Sequence, residues 1–319
     1  MKAVVYSKYG SPDELRLEEV DKPIPKDNEV LIKVHAVSLN ASDWEGLRGK
    51  PLYARIMGPF KPHHRILGSD IAGRVEAVGI NVTKFQPGDE VFGDNLSRMG
   101  GFAEYACASE DDMALKPADL SFEDAAAIPQ AGVIALQGIR DKVQPGQHVL
   151  INGAGGSTGS FAIQLAKLYG NEVTGVDNSG KQDFMRSLGA DHVIDYTRED
   201  FTRNGKQYDL ILDVIAHRSV FAYKRALASN GRYYFVGGSV AVIFQALLLG
   251  SWIGRGSGKK IRLLVVKPNL KDLQHMADLV RSGKIAVVID RRFPLREVPE
   301  ALGYLGAGKS KGKVVIAVQ

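Results

Sequence analysis

His148-Val-Leu-Ile-Asn152, followed at once by Gly153-Ala-Gly-Gly-Ser-Thr-Gly159, decides the fold of this chain. The first five residues are an apolar run of strand length. The next seven are rich in glycine, and Ser160 to Tyr169 then shows helical spacing before Gly170 ends it. Glu172 to Val176 reads as a second strand, closing on Asp177. Strand, tight turn, helix and strand around glycines three apart predict a dinucleotide site. Gly153 permits the sharp turn, Gly156 leaves room for a pyrophosphate, and Gly159 lets the helix lie close to the strand, with free N–H groups and a positive dipole end facing the phosphates. The spacing differs from the commoner G-x-G-x-x-G, although Gly155 adds a further small residue. Gly155, Ser157 and Thr158 count with the other three as candidate cofactor-binding residues.

Outward from this core the pattern changes on both sides. From Gln144-Pro-Gly-Gln147 onward, strands and helices alternate: Tyr208 to Val214, Ser219 to Ala228, Arg232 to Val236, Ile261 to Val266. That alternation predicts a parallel sheet covered on both faces, with Asp213-Val-Ile-Ala216 flanking the cofactor at the sheet's carboxyl edge. Toward the N-terminus the strands are short and separated by turns. Val30 to Val37 alternates, Asp70 to Val78 contains Gly73, and Gln86-Pro-Gly-Asp-Glu90 turns into Val91-Phe92, which together predict an antiparallel β domain. Ser42 with Glu45, and Ser121 with Asp124, read as helix starts. After Pro268 come a helix from Leu270 to Arg281, a strand from Ile285 to Ile289, a helix around Pro299 to Leu305 and a strand from Lys313 to Val318.

Length and composition set further bounds. A chain of 319 residues, 45% hydrophobic, is enough for two cores. No stretch has the ~20 uninterrupted apolar residues of a spanning helix, and Met1 to Tyr6 starts as a strand rather than a signal peptide, so a cytoplasmic protein without integral membrane contact is expected. The net charge of +5 is spread along the chain, which predicts no nucleic-acid partner. The single cysteine, Cys107, excludes internal disulfides and every multi-cysteine zinc site.

Ser38-Leu-Asn40-Ala-Ser-Asp43, Leu67-Gly-Ser-Asp70-Ile-Ala-Gly73, Val78-Gly79, Gln86-Pro-Gly-Asp89-Glu-Val91, the glycine turn, Leu188 to Ile194, Val236-Gly-Gly238 and Gly312-Lys-Val-Val315 carry a resemblance. In order and spacing they resemble the medium-chain dehydrogenase/reductase superfamily, specifically its zinc-free quinone oxidoreductase and enone reductase branch. The resemblance covers nearly the whole chain. It implies an α/β protein: a GroES-like β domain (1–120), a Rossmann-type doubly wound parallel sheet (121–266), and a return segment (267–319) completing the first domain. It also implies a homodimer, NADPH or NADH as cofactor, and a quinone or 2-alkenal as substrate. Where zinc-dependent relatives carry a cysteine and a His-Glu pair, this chain has Asn40 and Ser69-Asp70, which are not a zinc ligand set.

Without a Lewis acid, the reaction must be one that a nicotinamide performs with hydrogen-bond help alone. Reducing a simple ketone puts a full negative charge on one oxygen; reducing an enone or quinone delocalises it. By resemblance Asn40 and Tyr53 sit near the nicotinamide as candidate donors to the carbonyl oxygen, while Asp43 orients its own loop. Cofactor choice rests on conflicting residues. Asp177 stands where a carboxylate bonds the ribose 2′-OH of NADH. Ser179 follows it, and Lys181 and Tyr196 match positions that hold the 2′-phosphate in NADPH-using quinone reductases. A phosphate gains more from a lysine and a hydroxyl than it loses to a carboxylate free to turn to solvent, which favours NADPH. Val236 and Gly237 complete the implied cofactor set.

A non-catalytic cofactor-binding or partner-binding protein, resembling the lens crystallins of this family, is the rival reading. The apolar run Val240 to Leu249 is too short to span a bilayer and reads as pocket cover or subunit interface. His63-His64 reads as a solvated loop whose side chains point apart, and Gly254 to Lys260 as a connection rather than a phosphate loop.

Overall fold

The computed structural model describes residues 1–253 and 257–318. The chain forms two compact units, Met1–Val133 with Pro268–Gln319, and Ile134–Lys267. The sequence boundary at 120 falls inside the first unit; the helix Pro129–Ile139 runs through the actual division.

The first unit is built on β3 (Glu29–Ser38), the strand with most neighbours. In chain order it contains β1 (Lys2–Val5), β2 (Arg16–Glu19), β3, α1 (Ala41–Arg48), β4 (Asp70–Val78), β5 (Glu90–Asp94), β6 (Tyr105–Ser109), β7 (Met113–Leu115), α2 (Phe122–Ala127) and the start of α3 (Pro129–Ile139). After the second unit come α8 (Leu270–Arg281), β14 (Ile289–Pro294), α9 (Val298–Gly306) and β15 (Lys313–Ala317). The large sheet runs β14-β15-β3-β4-β5-β7, with β6 also on β3. It is antiparallel except for the parallel pair β14–β15. Val30, Ile32, Val34 and Val37 of β3 pack with Ile71, Phe102, Val314 and Ile316 in one core. Burying side chains of that size contributes about 1.5–3 kcal/mol each, so the C-terminal strand is held by packing as well as by its ladder. Val315 pairs with Ser38, which brings Lys313 beside Leu39 and Asn40.

Two elements here differ from their sequence reading. Helix α1 is capped by Asn40, whose N–H bonds Asp43 Oδ2 at 2.8 Å, two residues before the expected Ser42–Glu45 box. Ser42 Oγ instead donates to Gln130 Oε1 at 3.0 Å. The strand expected over Ile285–Ile289 starts only at Ile289, because the N–H groups of Lys284 and Ile285 both close helix α8 on Leu279 O.

The second unit contains β8 (His148–Asn152), α4 (Ser157–Leu168), β9 (Glu172–Asp177), α5 (Gln182–Ser187), β10 (His192–Asp195), β11 (Tyr208–Asp213), α6 (Val220–Ala226), β12 (Leu227–Phe235), α7 (Val240–Ile253) and β13 (Lys260–Leu263). The strand order is β10-β9-β8-β11-β12-β13 and every pair is parallel. The order reverses between β8 and β11, so the crevice beyond their carboxyl ends is where such a sheet takes a dinucleotide. Asp213, fully buried at the end of β11, accepts hydrogen bonds from Asn152 Nδ2 and Tyr233 Oη, at 2.8 and 3.0 Å, and so locks three strands together at that edge. On α7, Val242, Ala246 and Ile253 are buried while Phe244, Leu247 and Leu248 are exposed. No helix among the described residues is long and apolar enough to cross a membrane. Of the Gly254 to Lys260 connection, Gly254, Arg255 and Gly256 lie outside the described residues.

Candidate active site

The glycine turn leaves β8 and enters α4 at Ser157, three residues earlier than the sequence spacing predicted. Ser157, Thr158 and Gly159 therefore form the helix's first turn, and Gly156 is its N-cap. The four glycines do different work. Gly153 has φ +83°, the left-handed region that only glycine enters without strain, and a Cβ there would strike Val214 and Ile215. At Gly155 a Cβ would meet the Lys181 side chain at 2.6 Å. At Gly159 it would lie 2.3 Å from Gly153 O. Only Gly156 is open: its nearest atom, Gly153 O, stands at 3.4 Å. The space beside that N-cap, at the positive dipole end of α4, fits a pyrophosphate.

At the end of β9 the two conflicting residues bind each other. Asp177 and Lys181 are both buried, with Nζ 3.5 Å from Oδ1. Asp177 Oδ2 accepts the Gly155 N–H at 3.0 Å and Oδ1 accepts the Asn178 N–H at 2.8 Å. The carboxylate is thus internally satisfied rather than free to turn to solvent, and Lys181 is buried against it. Ser179 is exposed in the connecting turn; Tyr196 is half exposed and its N–H bonds Asp177 O at 3.2 Å. Asp177, Lys181 and Tyr196 therefore share one corner of the sheet. Val236 and Gly237 (φ +68°) leave β12 at the same carboxyl edge as the glycine turn.

In the first unit a closed polar cluster surrounds Asn40. Lys313, with no solvent exposure, donates from Nζ to Asn40 Oδ1 at 2.8 Å and to Leu39 O at 3.3 Å, and pairs with the equally buried Asp70 at 3.5 Å. Asn40 Nδ2 donates to Ser69 Oγ at 3.3 Å. Asp70 also accepts from the Gln130 N–H and, at 3.4 Å, from Ser38 Oγ. Asp43, fully buried, takes the N–H groups of Asn40 and Gly68 at 2.8 and 2.9 Å and fixes the loop, as expected. Tyr53 belongs to a different grouping: its Oη donates to Glu45 Oε1 at 3.2 Å. Around it Leu52, Ile56, Met57 and Phe60 are exposed.

Burial raises the carboxyls of this cluster. Asp43 is pushed up to about 7 and so is Asp94, the cross-strand neighbour of Asp70, whose negative charge adds to the burial effect. A carboxyl raised in the fold contributes stability that is complete below its unfolded value near 3.8 and is lost as pH rises through about 7. Asp94→Asn removes that loss. The variant is expected to melt roughly 2–6 °C above the parent at pH 8, and the gain is expected to shrink toward pH 5; thermal melts across that range check it, and a pH-independent difference would contradict the assignment.

Comparison with known proteins adds the lineage. Residues 26–118 match the alcohol dehydrogenase GroES-like domain, and residues 188–316 the family described as zinc-binding dehydrogenase. The chain is 35% identical to the 2-methylene-furan-3-one reductase of Solanum lycopersicum, over 99% of its length and 79% of that protein. It is 34% identical to the chloroplastic NADPH-dependent alkenal/one oxidoreductase of Arabidopsis thaliana, again over 99% of its length and 79% of the relative. The quinone oxidoreductase of Coxiella burnetii superposes with a TM-score of 0.91 at 30% identity, covering 100% of this chain and 99% of that one. The chain belongs to the medium-chain dehydrogenase/reductase superfamily. Its relatives place it in the quinone oxidoreductase and enone reductase branch.

Zinc, which one matching family carries in its description, does not fit the residues around Asn40. A tetrahedral zinc site needs converging thiolate, imidazole or carboxylate ligands. Here Asn40 and Ser69 are joined to each other by a hydrogen bond, and Asp70 is already engaged by Lys313. Among the described residues no group of three or more His, Cys, Asp or Glu side chains could hold a metal ion. His63 and His64 do not point apart as expected: their rings meet edge to face with centroids 4.7 Å apart. Sequence reading missed Lys313 as a site neighbour. Its signal was the Gly312-Lys-Val-Val315 motif, noticed for lineage alone, since nothing in sequence spacing links position 313 to position 40.

Proposed function

We propose that the protein is an NADPH-dependent, zinc-independent oxidoreductase acting on quinones or α,β-unsaturated carbonyls. The observation that carries the reading is the Asn40 cluster: a neutral amide held at the position where zinc-dependent relatives place a ligand, in a chain otherwise similar to enone and quinone reductases. The bound cofactor would supply a hydride. What the chain supplies is position and charge. Gly156 and the first turn of α4 would hold the pyrophosphate at the positive end of the helix dipole. Asn40 would donate to the substrate's carbonyl oxygen as negative charge gathers there. A neutral donor suits a charge spread over an enolate or quinone system, whereas the localised charge from a saturated ketone needs a cation or strong acid. Tyr53 is the weaker donor candidate, because its one O–H proton is already given to Glu45. The names of the relatives favour turnover over the crystallin-like alternative. The exposed Phe244, Leu247 and Leu248 of α7 support reading that face as a subunit interface of a homodimer.

NADPH is favoured over NADH because four hydrogen-bonding or ionic contacts around Asp177, that of Lys181 among them, leave no carboxylate free for the 2′-OH or able to repel a phosphate. An ammonium carries three N–H groups, and Lys181 can serve Asp177 and a phosphate together. Lys181→Ala removes the cation and bares Asp177, so the ratio of NADH to NADPH dissociation constants is expected to fall about ten- to a hundredfold. Fluorescence titration with both cofactors measures it; an unchanged ratio would remove Lys181 from the 2′-phosphate site. The activity itself is tested by following NADPH consumption against a panel of quinones, enals and saturated ketones.

A further inference from the structure

Lys313 is a fully buried lysine whose ammonium is spent entirely on the candidate site. Its three N–H groups have three acceptors: Asn40 Oδ1 at 2.8 Å, Leu39 O at 3.3 Å and Asp70 at 3.5 Å. A buried ion pair of this kind costs several kcal/mol of desolvation per ion, and an apolar pair of similar volume would serve stability as well or better. Its geometry has a different consequence. An amide can present either its oxygen or its nitrogen, and a second contact of Asn40, Ser69 Oγ at 3.3 Å, can donate or accept and so does not choose between them. An ammonium has no acceptor. Whatever atom of Asn40 faces Lys313 must be the oxygen, which leaves Nδ2 on the opposite side, toward Ser69 Oγ at 3.3 Å and the Asp70 carboxyl. The cation also draws electron density toward Oδ1, which strengthens the Nδ2–H groups as donors.

We infer that Lys313 is a positioning residue for the reaction: it fixes the Asn40 amide so that Nδ2–H, and not the amide oxygen, is offered to the substrate's carbonyl oxygen. The inference rests on the reading of Asn40 as the polarising donor. Lys313 arrives from β15, the strand returned to the first unit after the nucleotide-binding segment, so the closing strand contributes to chemistry as well as to packing. Asp70 serves as counter-ion, anchored in turn by the Gln130 N–H.

The test is a cycle on the full-length enzyme with NADPH and an enal. Lys313→Met is combined with Asp70→Asn, so that neither buried charge is left alone. This double variant is expected to lose about tenfold in kcat while its NADPH dissociation constant stays within twofold. Adding Asn40→Ala to it should cost nothing beyond Asn40→Ala alone, because Lys313 acts through that amide. A double variant with parental kcat, or losses that multiply in the combined variant, would overturn the inference while leaving the Asn40 reading intact. A parental kcat in Asn40→Ala would instead overturn the reading beneath it. Asn40→Asp covers the case in which the double variant does not fold. It keeps an acceptor for Lys313 but removes Nδ2–H, and it is expected to be as slow as Asn40→Ala; near-parental turnover would contradict the claim that Nδ2–H is the group presented.

Discussion

Gly156→Val is expected to abolish NADPH binding in a protein that still folds. The backbone at Gly156, φ −93° and ψ −171°, is extended and open to any residue, and a Cβ meets nothing closer than Gly153 O at 3.4 Å. The room a valine would fill is the room the pyrophosphate needs. Losing two or more charge-assisted N–H contacts at ~1.5–3 kcal/mol each predicts at least a hundredfold weaker binding, with little change in melting temperature. Gly159 supplies the contrast. Its Cβ would press into Gly153 O and Ala154 at 2.3–2.6 Å, so Gly159→Ala should lower the melting temperature, because the turn itself must move. Thermal melts and fluorescence titration of both variants separate a glycine that serves the ligand from one that serves the fold. Parental NADPH affinity in a folded Gly156→Val protein would place the pyrophosphate elsewhere.

Asn40→Ala is expected to lower kcat for an enal about a hundredfold, the usual cost of removing one well-placed donor to a developing oxyanion. NADPH affinity should change far less, since Asn40 belongs to the unit built around β3 and the glycine turn to the other. The fold should tolerate the change. Lys313 keeps Leu39 O and Asp70, and the backbone N–H that position 40 gives to Asp43 is retained. Steady-state kinetics at saturating NADPH measure it. A rate within threefold of the parent would shift the polarising role to Tyr53 or to solvent.

The nucleotide-binding unit was the more legible half of the chain. Its strands and helices are local units with their own period, so β8, β9 and β11 were readable to within a residue or so. The glycines announced the turn but not their division of labour. That division depends on Val214, Ile215 and Lys181, which approach from other elements. The start of α4 was misplaced because Ser157, Thr158 and Gly159 look like turn residues, and their helical conformation is imposed by the packing of Gly159 on Gly153 and Ala154. The pairing of Lys181 with Asp177 was hidden for a related reason: nothing local says that a lysine one turn after Asp177 folds back onto it. In the other unit Asn40 was identified through resemblance, yet its partners Ser69, Lys313 and Asp70 come from β15 and the segment entering β4, far away in sequence. Polar clusters assembled across a sheet leave no periodic trace in the chain.

The proposed active site stabilises a delocalised charge with a neutral, lysine-oriented amide and no metal. The most direct measurement compares kcat/KM for a 2-alkenal and for the saturated ketone of equal length, with NADPH, on protein assayed for bound zinc. The prediction is reduction of the enal's C=C bond, no measurable turnover of the ketone, less than a tenth of a zinc per chain on the order of contamination, and rates untouched by a chelator. Stoichiometric zinc, or ketone reduction matching enal reduction, would contradict it.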